Sequence, residues 1–160
     1  MNFNFKHYIF FIIAAVALIG ILDASFLTYK HYDPDPINCS LIEGCEEVTT
    51  SKYSTLFGIP ISIFGLGYYV TVLILTILIT EKQRGDLIKY LFVLSVSGIL
   101  VSAGLVYIQI GVIGSICEFC MISAASTLII FICSLVVQRK YNNNSGPLTP
   151  TLSPPGGERK

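Results

Sequence analysis

Charge is what this chain has least of. Only 12% of its 160 residues are Asp, Glu, Lys or Arg, while 53% are hydrophobic; a soluble domain carries about 25% charged residues. That balance excludes an ordinary soluble fold and places the chain in a lipid bilayer. Acidic and basic residues are equal in number, so nothing marks a nucleic-acid partner. Tryptophan is absent and histidine occurs twice. The sequence has no tandem repeat, no sustained heptads, and no G-x-G-x-x-G, P-loop or H-E-x-x-H pattern. Dinucleotide, nucleotide and zinc-protease chemistries are therefore left without their residues.

What is present is a series of long apolar runs. Residues 9–28 form the first, and a helix of roughly 20 residues spans a hydrocarbon core of about 30 Å. Its apolar part exceeds a signal-peptide core and no small-x-small cleavage site follows, so it reads as a retained span. Asp23 interrupts it near the far end; an acidic residue there is expected to be interfacial and solvated rather than turned into a polar pocket. Residues 60–80, 91–110 and 116–137 supply three more spans. The expected fold is an all-α integral membrane protein, a four-helix transmembrane bundle over residues 1–141. From Asn142 the composition turns to Pro, Gly and polar residues, so 142–160 is expected to be a disordered tail.

Lys and Arg set the orientation. The head, the middle turn and the tail hold Lys6, Lys82, Arg84, Lys89, Arg139, Lys140, Arg159 and Lys160, against Lys30 and Lys52 on the other side. The positive-inside rule then puts both termini in the cytoplasm. The one sizeable loop, residues 30–59, becomes extracytoplasmic; it carries Cys39, Cys45 and the acidic residues Glu43, Glu46 and Glu47. Residues 46–57 are expected to form a short lid helix with Val48, Leu56 and Phe57 on its apolar side. Gly58 would follow as its C-terminal stop and Pro60 would open the next helix.

The mouth of the last span reads Ser115-Ile-Cys-Glu-Phe-Cys-Met. Ser115 and Glu118 have the spacing of a capping box, which predicts a helix start there with Cys117 in the first turn and Cys120 on the same face. The positive end of the helix dipole favours a Cys117 thiolate, with Glu118 opposing it, and thiols at i and i+3 can close a disulfide with little backbone movement. The fifth cysteine, Cys133, lies about 20 Å further along by helical rise and reads as packing. The inferred orientation brings Cys39, Cys45, Cys117 and Cys120 to the extracytoplasmic side, where disulfides persist. Four thiols allow three pairings. Thiol–disulfide exchange is one reading, with a loop pair meeting a soluble protein and a helix pair meeting a lipid-soluble electron acceptor. Two structural disulfides in a non-catalytic membrane scaffold or assembly factor are another. Zinc binding fits less well, because Cys39 and Cys45 are too far apart for a short knuckle, and the scarcity of charge in the spans disfavours ion transport.

Cys39-x5-Cys45, then Ser51, Phe57-Gly-Ile-Pro60, Gly65 and Cys117-Glu-Phe-Cys120, in that order and spacing, resemble the vitamin K epoxide reductase family in its bacterial branch. The resemblance runs over roughly residues 19–137. It implies a four-helix bundle around a quinone (ubiquinone or menaquinone), capped by the loop and its short helix, in a bacterial inner membrane. It implies catalysis by Cys39, Cys45, Cys117 and Cys120: the loop pair oxidises a thioredoxin-like protein, and Cys117 with Cys120 passes the electrons to membrane quinone. Ser51, Phe57 and Cys120 are implied as quinone neighbours, and no metal is implied. Where vertebrate members carry a Tyr and an amide, this chain has Ala124 and Ile61, which favours plain quinone reduction over epoxide reduction. Many bacterial relatives fuse a thioredoxin-like domain; this chain is expected to use a thioredoxin-like protein in trans.

Overall fold

The computed structural model describes residues 3–33, 48–81 and 85–144. Each apolar run becomes one helix: α1 (Phe3–Tyr32), α2 (Ile61–Glu81), α3 (Leu87–Ile108) and α4 (Glu118–Asn144). All four are long and apolar enough to cross a membrane, and the protein is an all-α membrane fold. The helices extend beyond the apolar runs, because a backbone near lipid keeps its hydrogen bonds internal wherever it can. Lys30 and His31 sit in the last turn of α1, where cations complement the helix dipole. The last helix runs to Asn144, so the first three residues assigned to the tail are helical; residues 145–160 lie outside the described residues.

Two boundaries differ from expectation in ways that shape the site. The third helix ends in a π-helical turn, Gln109–Ile113, closed by Gly114 in the left-handed conformation at φ 75°. The next helix begins at Glu118, and its first backbone bond runs from Met121 N–H to Cys117 O at 3.1 Å. Cys117 is therefore the cap residue of α4 rather than part of its first turn, and Ser115 lies outside the helix.

The expected lid helix over 46–57 is corrected in its extent: it ends at Thr49, and Glu46 and Glu47 lie outside the described residues. Val48 and Thr49 are helical, but residues 50–54 turn, and β1 (Thr55–Leu56) pairs antiparallel with β2 (Ile59–Pro60). The run Thr49-Thr-Ser-Lys-Tyr-Ser-Thr is rich in hydroxyls that compete for backbone groups. Ser51 Oγ donates to Val48 O at 2.8 Å and Ser54 N–H to Ser51 O at 2.9 Å. Phe57 and Gly58 both have positive φ, 54° and 79°, as a primed two-residue hairpin turn requires. Gly58 thus serves a hairpin rather than a helix end, and Pro60 closes β2 immediately ahead of α2.

The bundle closes as a ring in sequence order: α1 packs on α2 and α4, α4 on α3, and α2 touches α3 most sparingly. Its core includes Ile13, Ala17, Val72, Leu91 and Ile130, while Phe11, Leu22 and Leu100 stay exposed on faces suited to lipid. Without a hydrophobic drive between helices in lipid, small residues and side-chain hydrogen bonds specify the contacts. Thr28 Oγ1 donates to Ser62 Oγ at 2.9 Å, joining α1 to α2, and the Ser95 and Ser134 hydroxyls meet at 2.6 Å, joining α3 to α4. Two neighbouring tyrosines each press on a glycine. A Cβ at Gly20 of α1 would stand 2.5 Å from the Tyr69 ring, and one at Gly98 of α3 would stand 2.5 Å from Tyr68 Oη.

That close approach generates a paired prediction. Gly20→Val should destabilise the bundle by roughly 1–3 kcal/mol through overpacking against Tyr69. Gly67→Val, at a position with nothing within 4 Å, should leave stability nearly unchanged. Thermal unfolding of both variants in detergent checks the contrast.

Candidate functional site

Cys117 and Cys120 are free thiols joined by a side-chain hydrogen bond, in which Cys120 is the donor. They face different surroundings. Cys117 is fully buried in a small cluster with Val48 of the loop, Ile113 and Phe119, against which Cys120 also packs. Cys120 lines a cavity of about 290 Å³ inside the bundle, and Cys117 does not. Phe26 of α1 lies against Phe119 with ring centroids 4.9 Å apart, bracing the start of α4.

The Cys117 thiol is pulled down to about pKa 7. The largest cause is the hydrogen bond from the Cys120 thiol; backbone N–H groups of Cys120 and Phe119 add to it, while burial and the Asp23 carboxylate oppose it. Those N–H groups are free at a helix start, and the cap position aims them at the Cys117 sulfur. Gln109 holds this residue from behind. Its side-chain Oε1 accepts the Cys117 N–H at 3.2 Å, and its backbone O accepts from Gly114 N–H at 2.9 Å, five residues on. The π-helical turn thereby rotates a buried amide under the cap residue of the next helix.

The cavity wall is mostly apolar, with polar groups at a few points. Tyr69 Oη lies 2.8 Å from both Ser123 O and Ser123 Oγ, and 3.1 Å from Thr127 Oγ1. Ser102 Oγ donates to Thr127 Oγ1 at 3.3 Å. Asp23 is 9% exposed and lines the same cavity, so the expectation of an interfacial, solvated carboxylate is corrected: α1 turns it inward beside the dithiol. Ser51 lines the cavity, while Phe57 stands 95% exposed at the hairpin apex and is not among the lining residues. The positive-φ turn at Phe57 and Gly58 swings that ring into the surroundings. Ile61 and Ala124 both line the cavity, so those two wall positions are apolar. Cys133 packs against the main core. Cys39 and Cys45 lie outside the described residues.

Sequence reasoning missed Tyr68, Tyr69, Gln109, Ser123 and Thr127. Their signal was present as polar residues interrupting apolar runs, which in a membrane face the bundle interior.

These features define a helical membrane protein with a paired-thiol site set against an internal cavity. The vitamin K epoxide reductase family matches residues 11–135, most of the chain, and the protein belongs to that family. A comparison with curated proteins returns no match. The family consists of membrane oxidoreductases that act by thiol–disulfide chemistry and use quinones. The cavity fits the headgroup of such a molecule: it approaches the usual lower size of small-molecule sites, its wall is largely apolar, and a thiol opens onto it.

In reduced protein, alkylation of Cys117 should follow a titration with its midpoint near 7, well below an ordinary thiol. Cys120→Ala removes the leading stabiliser of the thiolate while burial remains, so the midpoint should move up. Mass-spectrometric rates of alkylation by iodoacetamide across pH 5–10 check both statements.

Proposed function

We propose that this protein is a thiol:quinone oxidoreductase of a bacterial inner membrane, which reoxidises an extracytoplasmic thioredoxin-like protein in trans and so supports disulfide formation. The observation that carries this reading is the division between the two helix thiols. Cys117 lies under Val48 of the loop, and Cys120 opens onto the cavity. One thiol faces the direction from which protein electrons would come, and the other faces the place where a lipid-soluble acceptor would be reduced. Val48 stands three residues beyond Cys45, a stretch of chain that reaches at most about 11 Å.

The exchange balances in three steps. A reduced thioredoxin-like protein attacks Cys45 of the Cys39–Cys45 disulfide and leaves oxidised, with both loop thiols reduced. The Cys39 thiolate attacks Cys117 of the Cys117–Cys120 disulfide; Cys45 then attacks Cys39 in that mixed disulfide, reforming the loop bridge and leaving two helix thiols. Finally the helix dithiol gives two electrons and two protons to quinone, yielding quinol and the Cys117–Cys120 disulfide. Within the last step Cys120 passes its thiol proton toward the Cys117 thiolate along their hydrogen bond, which raises the nucleophilicity of the sulfur facing the cavity. Asp23, on the cavity wall, is placed to carry protons. Val48 must move off Cys117 for the second step, so the loop gates the exchange. With four spans the termini share one side, and the Lys and Arg distribution favours the cytoplasm.

Purified protein supplied with a reduced thioredoxin-like protein should reduce quinone, and Cys120→Ala should abolish that reduction. Removing a resolving thiol makes a mixed disulfide accumulate, so Cys39→Ala should trap the thioredoxin-like protein on Cys45, visible on non-reducing gels with peptide mapping. Near-normal quinone reduction by Cys120→Ala would sink the mechanism. In intact reduced cells an impermeant maleimide should label Cys39 or Cys45; labelling only after the inner membrane is broken would reverse the orientation.

A further inference from the structure

One tyrosine of the cavity wall carries a buried hydroxyl with no hydrogen-bond partner among the described residues. Tyr68 Oη is shielded from solvent and has no hydrogen-bond partner among the described residues, yet Tyr68 lines the cavity. Other hydroxyls of the wall that lie deep in the bundle are paired. Tyr69, Ser123, Thr127 and Ser102 bond to one another across the bundle, Thr28 donates to Ser62, and Ser51 donates to Val48 O. A buried hydroxyl without a partner costs free energy, and such groups in native structures call for an explanation.

Local geometry keeps the Tyr68 hydroxyl there. Successive helical residues point about 100° apart, so Tyr69 turns toward α1 and α4 while its neighbour Tyr68 turns toward α3. The two rings meet edge to face at a centroid distance of 5.1 Å. Tyr68 is pressed onto Gly98, where any Cβ would stand 2.5 Å from its Oη. Glycine at that position gives the phenol room at the α2–α3 seam, where the helices touch least. Ile61 and Ala124 leave their parts of the wall apolar.

We infer that Tyr68 is a quinone-binding residue whose Oη donates a hydrogen bond to one carbonyl oxygen of the quinone headgroup, fixing the ring in the cavity that Cys120 lines. The inference rests on the quinone reading above and adds to it the group that orients the substrate. A phenol suits this task because it donates to a neutral carbonyl without bringing a charge into the bilayer.

The test is equilibrium binding of a ubiquinone bearing a single isoprene unit to purified protein with Cys117 and Cys120 oxidised, so that no turnover occurs. Infrared spectroscopy with carbonyl-13C-labelled quinone reports the hydrogen bond directly. In the unaltered protein one carbonyl stretch should fall below its frequency in detergent alone. In Tyr68→Phe that displacement should vanish and the Kd should rise about fivefold, equivalent to about 1 kcal/mol. The ligand-free variant should melt at the same temperature or higher, because an unsatisfied buried group has been removed. Gly98→Ala, which pushes on Tyr68 without deleting its hydroxyl, should weaken binding in the same way. Unchanged affinity and an unchanged carbonyl band in Tyr68→Phe would overturn the assignment while leaving the quinone reading intact. A raised Kd with the band still displaced would also overturn it, because only ring packing would then have changed. An unaltered protein with no quinone affinity would overturn the quinone reading, and the Tyr68 assignment with it.

Discussion

The Tyr69 hydroxyl is the contact on which the arrangement of the site depends. It reaches from α2 to Ser123 and Thr127 of α4, while its ring rests on Gly20 of α1. Interhelical hydrogen bonds in membranes contribute only about 0.6 kcal/mol each on average, so its value is positional more than energetic. It fixes the rotation of α4 about its own axis. Ser123 lies three residues after Cys120 and on the same face, so the rotation that brings Ser123 to Tyr69 also turns Cys120 into the cavity. Cys117, at the end of that helix, is left beneath the loop.

A single short motif thereby serves two environments. Cys117 occupies a helix cap, where backbone N–H groups and the Cys120 thiol stabilise its charge and the Gln109 amide secures its backbone. Cys120, one turn further in, faces a mostly apolar cavity. The polarity of the pair follows from helix geometry: the first residue meets unsatisfied donors, and the next turn has none to offer.

The cavity is framed by what the helices omit. Glycines at 20 and 98 admit two adjacent tyrosines to the interior, and those tyrosines stand in different hydrogen-bonding states. The Tyr69 hydroxyl is fully bonded, while that of Tyr68 has no partner among the described residues. The 100° turn of the helix separates the surroundings of these two consecutive tyrosines.

Much of this was legible in the chain alone. Four spans follow from the length of the apolar runs, because bilayer thickness sets a fixed minimum for a helix that crosses it. The Cys117–Cys120 pair at the mouth of α4 follows from the i, i+3 spacing, which a helix turns into proximity regardless of its neighbours. The extent of the lid helix was misread because hydroxyl-rich residues can satisfy the backbone locally in several ways, and Ser51 and Ser54 chose a turn beyond Thr49. The π-helical turn had no sequence signature of its own, and it alone brings Gln109 under Cys117. Asp23 looked solvated because an acidic residue near the end of a span has water within reach. Only the packing of α1 on α2 and α4 decided that its carboxyl faces inward. Composition and periodicity determined which segments cross the membrane and which thiols meet; the rotation of each helix about its axis, set by contacts between residues distant in the chain, decided what those thiols face.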